Sequence, residues 1–194
     1  MNHYFTNNEN LKSEFRKITY KYQDYNFSYL SDNGVFSKDK IDFGSKLLVE
    51  TFLKYNSSVE NILDLGCGYG FIGITLSKVL NVPVTLCDVN PRAVHLSEKN
   101  IKEHKVDAIA LLSDGYENIR DKYDVIITNP PIRVGKEKLL SLLNNAKNYL
   151  NDFGSLWFVI RKDQGAKSII KALEKNYTCE IIEKSKGFYI IKAS

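Results

Sequence analysis

The sequence predicts an α/β protein with a mostly parallel sheet and helices on both of its faces. From residue 61 onward, short apolar runs alternate with longer segments whose apolar residues recur at helical spacing. This alternation favours a parallel sheet, because each helix carries the chain back to begin another strand in the same direction. Residues 178–194 contain two further apolar runs around Lys184–Lys186 and predict an antiparallel hairpin at the sheet edge.

The N-terminal part predicts a tail, a hairpin and a helix. Residues 1–14 are polar and are expected to be loosely ordered. Residues 15–32 are rich in Tyr, Phe, Ile and Thr, alternate in places and turn near Gln23–Asp24, which is typical of a β-hairpin. A loop over 34–42 and a helix over 43–56 follow.

The alternating part begins with a strand over 61–65 and a helix over 71–80. The next helix has a strong start signal, because Asn90 suits the N-cap and Pro91 suits the first helical position. The remaining predicted strands are 83–89, 107–114, 123–129 and 154–160, and the remaining predicted helices are 90–105, 136–150 and 164–176.

The bulk composition fits one soluble domain with a small extension. The chain has 194 residues, of which 43% are hydrophobic and 26% are charged. Its 27 Lys and Arg residues against 23 Asp and Glu residues permit a nucleic-acid partner without requiring one. We expect residues 1–40 to form the tail and hairpin extension and residues 41–194 to form the main domain.

Several classes of protein are disfavoured. The cysteines, Cys67, Cys87 and Cys179, form no C-x-x-C pair, so neither a disulfide framework nor a zinc site is expected. No apolar run is long enough for a membrane span, and the N-terminus lacks the apolar core of a secretory signal. We therefore expect a reduced, cytoplasmic protein without metal or membrane association. Surface positions are expected for His3, His95 and His104.

The stretch NILDLGCGYGFIG contains two overlapping glycine patterns. Gly66, Gly68 and Gly70 form G-x-G-x-G, while Gly68, Gly70 and Gly73 form the G-x-G-x-x-G fingerprint of dinucleotide binding. Either pattern places a tight turn after a predicted strand, where glycines let a ligand approach the backbone. In both cases the acid ending the next strand, Asp88, can accept hydrogen bonds from the hydroxyls of a ribose.

Polar residues follow the strands of the predicted sheet, where ligands bind in parallel sheets. Asp64 lies just before the glycine loop, and Asp114 follows the third of these strands. Asp88 is an alternative helix cap, but Asn90 is better placed for that role. Asp114 stands beside Gly115, so it predicts either a turn or an acceptor for the amine of an adenine.

The fourth of these strands ends in TNPPIRVGK. Pro130 and Pro131 stop the strand and stiffen the loop that follows. The loop therefore presents two acceptors rigidly, the side-chain oxygen of Asn129 and the carbonyl of Pro130. Two adjacent acceptors suit an amine with two N–H groups.

These motifs, with GVFSKDKIDFGSKLL ahead of the glycine loop, resemble class I S-adenosylmethionine-dependent methyltransferases. Within that class the chain is similar to the RsmC-like group of ribosomal RNA guanine-N2 methyltransferases, over roughly residues 16–194. The resemblance implies a Rossmann-like fold with a seven-stranded sheet ending in the antiparallel hairpin, and a methyltransferase domain over 41–194. It implies RNA as the partner.

The resemblance also implies roles for particular residues. Asn129 and Pro130 would hold the target nitrogen, and Val89 would lie against the adenine of S-adenosylmethionine. Phe36, Ser37 and the 42–45 segment would close over its methionine end. Its methionine and ribose would contact Asp64, Gly66, Cys67, Gly68, Gly70 and Asp88, with Asp114 facing the adenine amine and Asn129 as a further cofactor contact. Substrate contacts are expected from Pro131, Ile132 and Arg133.

One departure concerns the base. Many members carry an aromatic residue after the two prolines, where this sequence has Ile132, so the missing ring is expected from Phe36, Phe43 or Tyr189. Basic residues near the motifs are expected either to hold RNA phosphates or to form a solvated face. They are Lys38, Lys40, Arg133, Lys136, Lys138, Arg161 and Lys162.

The G-x-G-x-G pattern is preferred, because a dinucleotide reading leaves Gly66 and the Asn-Pro-Pro motif without a role. Gly73 then becomes a small residue that packs against the sheet. The expected activity is methylation of the exocyclic amine of a guanine in small-subunit ribosomal RNA. Methylation of a protein glutamine or a small-molecule nitrogen is an alternative, as is a non-catalytic RNA-binding assembly factor. A nicotinamide oxidoreductase is the weakest reading.

Overall fold

A computed structural model describes residues 12–56, 58–131 and 134–194. The first part holds β1 (Arg16–Tyr22), β2 (Tyr25–Ser31) and α1 (Phe43–Tyr55). The main body then follows in the order β3 (Ile62–Leu65), α2 (Phe71–Leu80), β4 (Val84–Asp88), α3 (Pro91–His104), β5 (Ala108–Leu112), β6 (Tyr123–Thr128), α4 (Lys136–Asn145), β7 (Leu150–Arg161), α5 (Ala166–Leu173), β8 (Cys179–Ser185) and β9 (Phe188–Ala193).

The main sheet has seven strands in the order β5-β4-β3-β6-β7-β9-β8. Neighbouring strands from β5 to β7 pair in parallel, and β9 pairs antiparallel with both β7 and β8. The predicted fold class and its antiparallel C-terminal hairpin are therefore confirmed. The second strand of that hairpin, β9, joins the parallel part and leaves β8 at the edge.

The predicted N-terminal hairpin is confirmed, with Gln23 and Asp24 as its two-residue turn. Alternate side chains along β1 and β2 are buried, which follows from the period of two in a strand. Tyr29 is one of them, and its hydroxyl lies 2.7 Å from Thr75 Oγ1 of α2. The hairpin shares one hydrophobic cluster with α1, α2 and one face of the sheet. The division at residue 40 stays a prediction.

Helix starts follow the signals in the sequence. Asn90 caps α3, where its side chain accepts from the backbone N–H of Arg92 at 3.0 Å, and Pro91 is the first helical residue. Asp42 caps α1 by accepting from Ser45 N at 2.8 Å. These caps satisfy backbone donors that the first turn of a helix leaves without partners.

The segment around residue 150 differs from the prediction. The expected helix over 136–150 ends at Asn145 and continues as a 3₁₀ turn over Ala146–Tyr149. Strand β7 then begins at Leu150, not at 154. Its pairing with β6 shifts register between Tyr123 and Val125, so the extra residues form an irregularity that the apolar pattern does not reveal.

His104 is not a surface residue as expected. Its ring packs on the ring of Tyr29 with centroids 4.9 Å apart. Its Nε2 accepts from Ser28 N at 3.3 Å, and its Nδ1 lies 2.8 Å from Asn100 O. The hairpin covers the end of α3, which the sequence alone does not show. His95 is exposed as expected, and His3 lies outside the described residues.

Candidate active site

A cleft of about 610 Å³ runs along the carboxyl ends of the central strands. The sheet order divides it at β6. One half, which we call the cofactor half, is lined by residues that follow β3, β4 and β5. The other, the acceptor half, is lined by residues that follow β6 and β7 and by the start of β9. Binding at this edge is usual for parallel α/β sheets.

The glycine loop after β3 forms the floor of the cofactor half. The backbone N–H groups of Gly66 and Cys67 both donate to Cys87 O, at 2.8 and 2.9 Å. Gly66 and Gly68 have φ angles of +77° and +58°, where other residues are strained. A Cβ added at either glycine would meet nothing within 4 Å. The loop therefore leaves open space that a ligand can fill.

The two later glycines pack inside the protein. A Cβ on Gly73 would lie 2.9 Å from Leu86 Cγ and 3.0 Å from Asp64 Oδ2, so its predicted packing role is confirmed. A Cβ on Gly70 would lie 2.7 Å from Ile74 Cδ1. Gly70 does not line the cleft, and the structure shows it at the start of α2.

Asp88 ties the end of β4 to the glycine loop. Its Oδ2 accepts from Gly68 N at 2.9 Å, and its Oδ1 accepts from Asn90 N at 2.8 Å. Burial raises the pKa of Asp88, and these backbone N–H donors oppose that effect. Each carboxylate oxygen has a second lone pair, so Asp88 can still accept from hydroxyls in the cleft that it lines.

Asp64 is fully buried beneath the glycine loop and is absent from the cleft lining. Its Oδ2 accepts from Gly73 N at 2.8 Å. Its Oδ1 has no hydrogen-bond partner among the residues that the structure describes. Burial raises the pKa of Asp64 to about 7, and the charge of Asp88 adds to this rise.

Other predicted cofactor residues lie around the same half. Val89 and Phe36 are 41% and 39% exposed and line the cleft, as does the exposed side chain of Asp114. Cys67 is buried, with its Sγ 3.5 Å from Ser97 Oγ, and burial raises the pKa of its thiol. Among the described residues, no group of His, Cys, Asp and Glu side chains is arranged to hold a metal ion.

Asn129 stands where the two halves of the cleft meet. Its Nδ2 donates to Asp42 Oδ2 at 3.0 Å and to Ser45 Oγ at 2.8 Å. Thr128 Oγ1 donates to Leu65 O at 2.6 Å and ties the end of β6 to β3. With both N–H groups directed at α1, the amide must turn its Oδ1 away from Asp42. The sequence predicts Asp42 and Ser45 over the cofactor but does not indicate that they orient Asn129, as the structure shows.

The acceptor half contains a ring that sequence reasoning missed. Phe188 lines the cleft, whereas Tyr189, one of the expected substitutes, does not. Phe43 packs on Phe188, with ring centroids 5.4 Å apart. Because β9 is antiparallel to β7, its first residue lies at the carboxyl ends of the other strands. The insertion of β9 beside β7 is the feature that would have identified Phe188 as a cleft residue.

Pro130 and Pro131 also line the acceptor half, while Ile132 and Arg133 lie outside the described residues. Of the basic residues singled out, Lys138 and Arg161 line the cleft. Lys38 donates to Asn33 Oδ1 at 2.8 Å. The described residues that do not line it include Lys38, Lys40, Lys136 and Lys162.

This chain is similar to several known proteins. The protein YbxB of Bacillus subtilis, which is named as uncharacterized, is 39% identical over 98% of this chain and 97% of its own. The ribosomal RNA small subunit methyltransferase C of Photorhabdus laumondii is 41% identical over 65% of this chain and 38% of its own. That of Buchnera aphidicola is 35% identical over 86% and 49%. This chain thus spans about half or less of those methyltransferases.

The T. thermophilus 16S rRNA N2 G1207 methyltransferase (RsmC), solved with AdoMet and guanosine, has a similar fold. The TM-score is 0.84, with 24% identity over 95% of this chain and 51% of that one. The family model described as "Methyltransferase small domain" matches residues 26–192. Within the described residues, no helix is long and apolar enough to cross a membrane. The expected enzyme class is confirmed, and the chain belongs to the methyltransferase small domain family.

Proposed function

We propose that this methyltransferase moves the methyl group of S-adenosylmethionine to the exocyclic amine of a guanine in small-subunit ribosomal RNA. The observation that carries the proposal is the fixed amide of Asn129 at the junction of the two halves. Its Nδ2 is held at 3.0 Å by Asp42 and at 2.8 Å by Ser45, which leaves its oxygen as the acceptor. A hydrogen-bond acceptor with a fixed direction, placed between the cofactor half and the acceptor half of the cleft, suits a nitrogen nucleophile.

The cofactor half fits S-adenosylmethionine. A Cβ added at Gly66 or Gly68 would have no neighbouring atom within 4 Å, so the loop leaves room there for a ligand. Asp88 lines this half with lone pairs suited to ribose hydroxyls, and Val89 offers an apolar surface to an adenine. We assign Asp114 to the adenine amine and Phe36 to the methionine end. When bound, the cofactor supplies an electrophilic methyl group.

The residues of the chain then act on the nucleophile. An exocyclic amine of a base is a weak nucleophile, because its lone pair is delocalised into the ring. Asn129 Oδ1 and the carbonyl of Pro130 would accept its two N–H bonds and aim the lone pair at the methyl group. They would also stabilise the positive charge that develops on nitrogen. Orientation of this kind contributes up to about 7–11 kcal/mol in favourable cases.

No strong general base is needed in this scheme, because the methylated amine loses its extra proton easily to water. The buried Asp64 is therefore given no role in proton transfer. A base in a duplex must be unpaired or flipped to reach a cleft of this depth. Among the described residues, Lys138 and Arg161 are the basic residues that line the cleft, and Lys138 is the one proposed to meet the RNA backbone.

The ribosomal substrate is supported by the names of the relatives. Those at 32–41% identity are called ribosomal RNA small subunit methyltransferase C. The match covers only 38% and 45% of the length of those two relatives, so substrate choice is part of the proposal. A ribosomal RNA substrate would place the reaction in the cytoplasm, which agrees with the free thiols of Cys67, Cys87 and Cys179.

The proposal is tested with radiolabelled S-adenosylmethionine and three acceptors: naked small-subunit RNA, assembled small subunits and total ribosomal protein. We expect label in RNA, recovered after nuclease digestion as N2-methylguanosine. The Asn129→Ala variant should bind S-adenosylhomocysteine normally by calorimetry and transfer no label. Label in a protein glutamine would support the alternative substrate, and RNA binding without any transfer would support an assembly factor. Either result would overturn the proposal.

A further inference from the structure

The acceptor half of the cleft has a built surface that the chemistry at Asn129 does not use. The glycine loop, Asp88 and Asp114 all follow strands on one side of β6 in the sheet order. On the other side, β7 ends at Arg161 and β9 begins at Phe188, and both side chains line the cleft.

Arg161 and Phe188 form a cation–π pair. They are cross-strand partners in the antiparallel β7–β9 ladder, which brings their side chains together. The guanidinium carbon of Arg161 lies 5.4 Å from the centroid of the Phe188 ring. Asp163 holds the guanidinium plane in place, accepting from Nε at 3.0 Å and from Nη2 at 2.8 Å. The pair therefore places an aromatic ring and a hydrogen-bonded guanidinium side by side at the cleft.

The first turn of α1 joins this pair to Asn129. Asp42 and Ser45 hold the Asn129 amide, and between them lies Gly44. A Cβ on Gly44 would stand 2.9 Å from Cε1 of Phe188 and 3.1 Å from Asp42 Oδ2. Only a glycine lets the ring lie so close to the turn. The ring and the Asn129 amide thus rest on the same helical turn.

The other aromatic side chains that line the cleft are less suited to contact the base that receives the methyl group. Tyr69 and Phe71 are both 4% exposed and belong to the core shared with the hairpin. Phe36 belongs to the loop that Asn90 holds through a 3.0 Å hydrogen bond to Gly34 O, on the cofactor half. Among the described residues, Phe188 is the aromatic residue that lines the acceptor half.

We propose that Arg161 and Phe188 form the platform on which the target base packs while Asn129 and Pro130 hold its amine. This inference rests on the proposed function and identifies the residues that contact the target base. Bases taken out of a helix stack on aromatic rings and on arginine planes. Ile132 follows the two prolines in the sequence and has no ring, so a planar surface must come from elsewhere.

The charge of Arg161 points to stacking and not to a phosphate contact. Asp163 already pairs with its guanidinium through two hydrogen bonds, which offsets the positive charge locally. What the pair offers to the cleft is a guanidinium plane, with two of its donors bonded to Asp163, beside an aromatic ring. A lysine at this position would keep the charge and lose the plane, so substitution separates the two roles.

The test compares Phe188→Leu, Phe188→Tyr and Arg161→Lys with the parent protein. Single-turnover methylation of small-subunit RNA is measured against RNA concentration, and guanosine is titrated by saturation-transfer NMR with S-adenosylhomocysteine bound. We expect Phe188→Leu and Arg161→Lys each to weaken the apparent RNA affinity and the guanosine affinity roughly tenfold or more, as loss of base stacking does. Phe188→Tyr should recover most of the loss, and calorimetry should show unchanged S-adenosylhomocysteine affinity, which also reports correct folding.

A matched control is Phe153→Leu, which alters a fully exposed phenylalanine near the opposite end of β7 and should change neither measurement. Parent-like RNA and guanosine binding in Phe188→Leu and Arg161→Lys would overturn the platform. Binding lost in Phe188→Leu but kept in Arg161→Lys would overturn the role of the guanidinium plane. If the parent binds guanosine through Phe188 but methylates no RNA, the proposed function fails and the platform stands. If the parent protein neither binds guanosine nor methylates RNA, both the platform and the proposed function fail.

Discussion

Asn129 Nδ2 donates to Asp42 Oδ2 at 3.0 Å, across 87 positions of sequence. The same carboxylate oxygen accepts from Ser45 N at 2.8 Å and so caps α1. One side chain therefore starts a helix and sets the direction of the amide proposed to hold the substrate. Folding of the first turn of α1 and assembly of the site are linked through this carboxylate.

The first prediction concerns Asp42. Asp42→Ala should leave the Asn129 amide held by Ser45 Oγ alone and lower the methyl-transfer rate about 10- to 100-fold, with little change in S-adenosylhomocysteine affinity. It should also lower the free energy of unfolding by about 0.5–2 kcal/mol, because the cap of α1 is lost. Single-turnover kinetics and denaturant titration measure the two effects.

Asp42→Ser separates these effects. A serine can still cap the helix but is too short to reach Asn129, so stability should return while the rate stays low. Recovery of the rate together with stability would show that Asp42 acts only as a cap.

The glycines of the loop give the second prediction. Gly68→Ala should weaken S-adenosylhomocysteine binding at least tenfold, because the new methyl group enters the space left for the ligand, and should cost about 1–2 kcal/mol of stability at its positive φ. Gly73→Ala should cost about 1–3 kcal/mol through overpacking against Leu86 and Asp64, with affinity nearly unchanged. Calorimetry measures the S-adenosylhomocysteine affinity of both variants, and thermal denaturation measures their stability. An equal loss of affinity in the two would contradict the assignment.

The third prediction follows from the buried carboxyl of Asp64. Burial raises its pKa from 3.8 to about 7, so the folded protein binds more protons than the unfolded chain between these values. The free energy of unfolding should therefore fall as the pH rises through this window. At about 1.4 kcal/mol per pKa unit, the loss is roughly 4 kcal/mol in total.

Denaturant titrations of the parent and of Asp64→Asn from pH 4 to pH 8 check this. The asparagine does not titrate, so the difference in stability between the two proteins should shift in its favour as the pH rises. Parallel pH profiles would show that Asp64 keeps its ordinary pKa in the folded protein.

The fourth prediction concerns the docking of the N-terminal hairpin. His104→Ala removes the ring that packs on Tyr29 and the acceptor for Ser28 N, and we expect a loss of about 1–3 kcal/mol. His95→Ala changes an exposed histidine of the same helix and should stay within about 0.5 kcal/mol of the parent. Equal thermal midpoints for the two variants would show that the contacts of His104 with Tyr29 and Ser28 do not stabilise the protein.

The parallel core of the fold was predictable because its signals are local. Asn90 and Pro91 fix the start of α3 by their own chemistry, and the glycine loop needs only its neighbours to turn. The strand ends were predictable as a group, because parallel strands bring their carboxyl ends to one edge. The cleft accordingly contains Gly66, Gly68, Asp88 and Asn129, which were named from the sequence.

The missed features depend on contacts between distant segments. The hairpin packs its Tyr29 on His104, and nothing near His104 in the sequence indicates this cover. Phe188 reaches the cleft because β9 inserts beside β7, and Gly44 makes room for it. Asp42 was recognised as part of a motif, but its bond to Asn129 requires α1 to lie beside the end of β6.

The most direct test of the central claim is mass spectrometry of ribosomal RNA nucleosides from cells that lack this gene. One N2-methylguanosine should be missing from the small-subunit RNA, return with the parent gene and stay missing with Asn129→Ala. An unchanged nucleoside profile, or a missing methyl group on a ribosomal protein glutamine, would contradict the account.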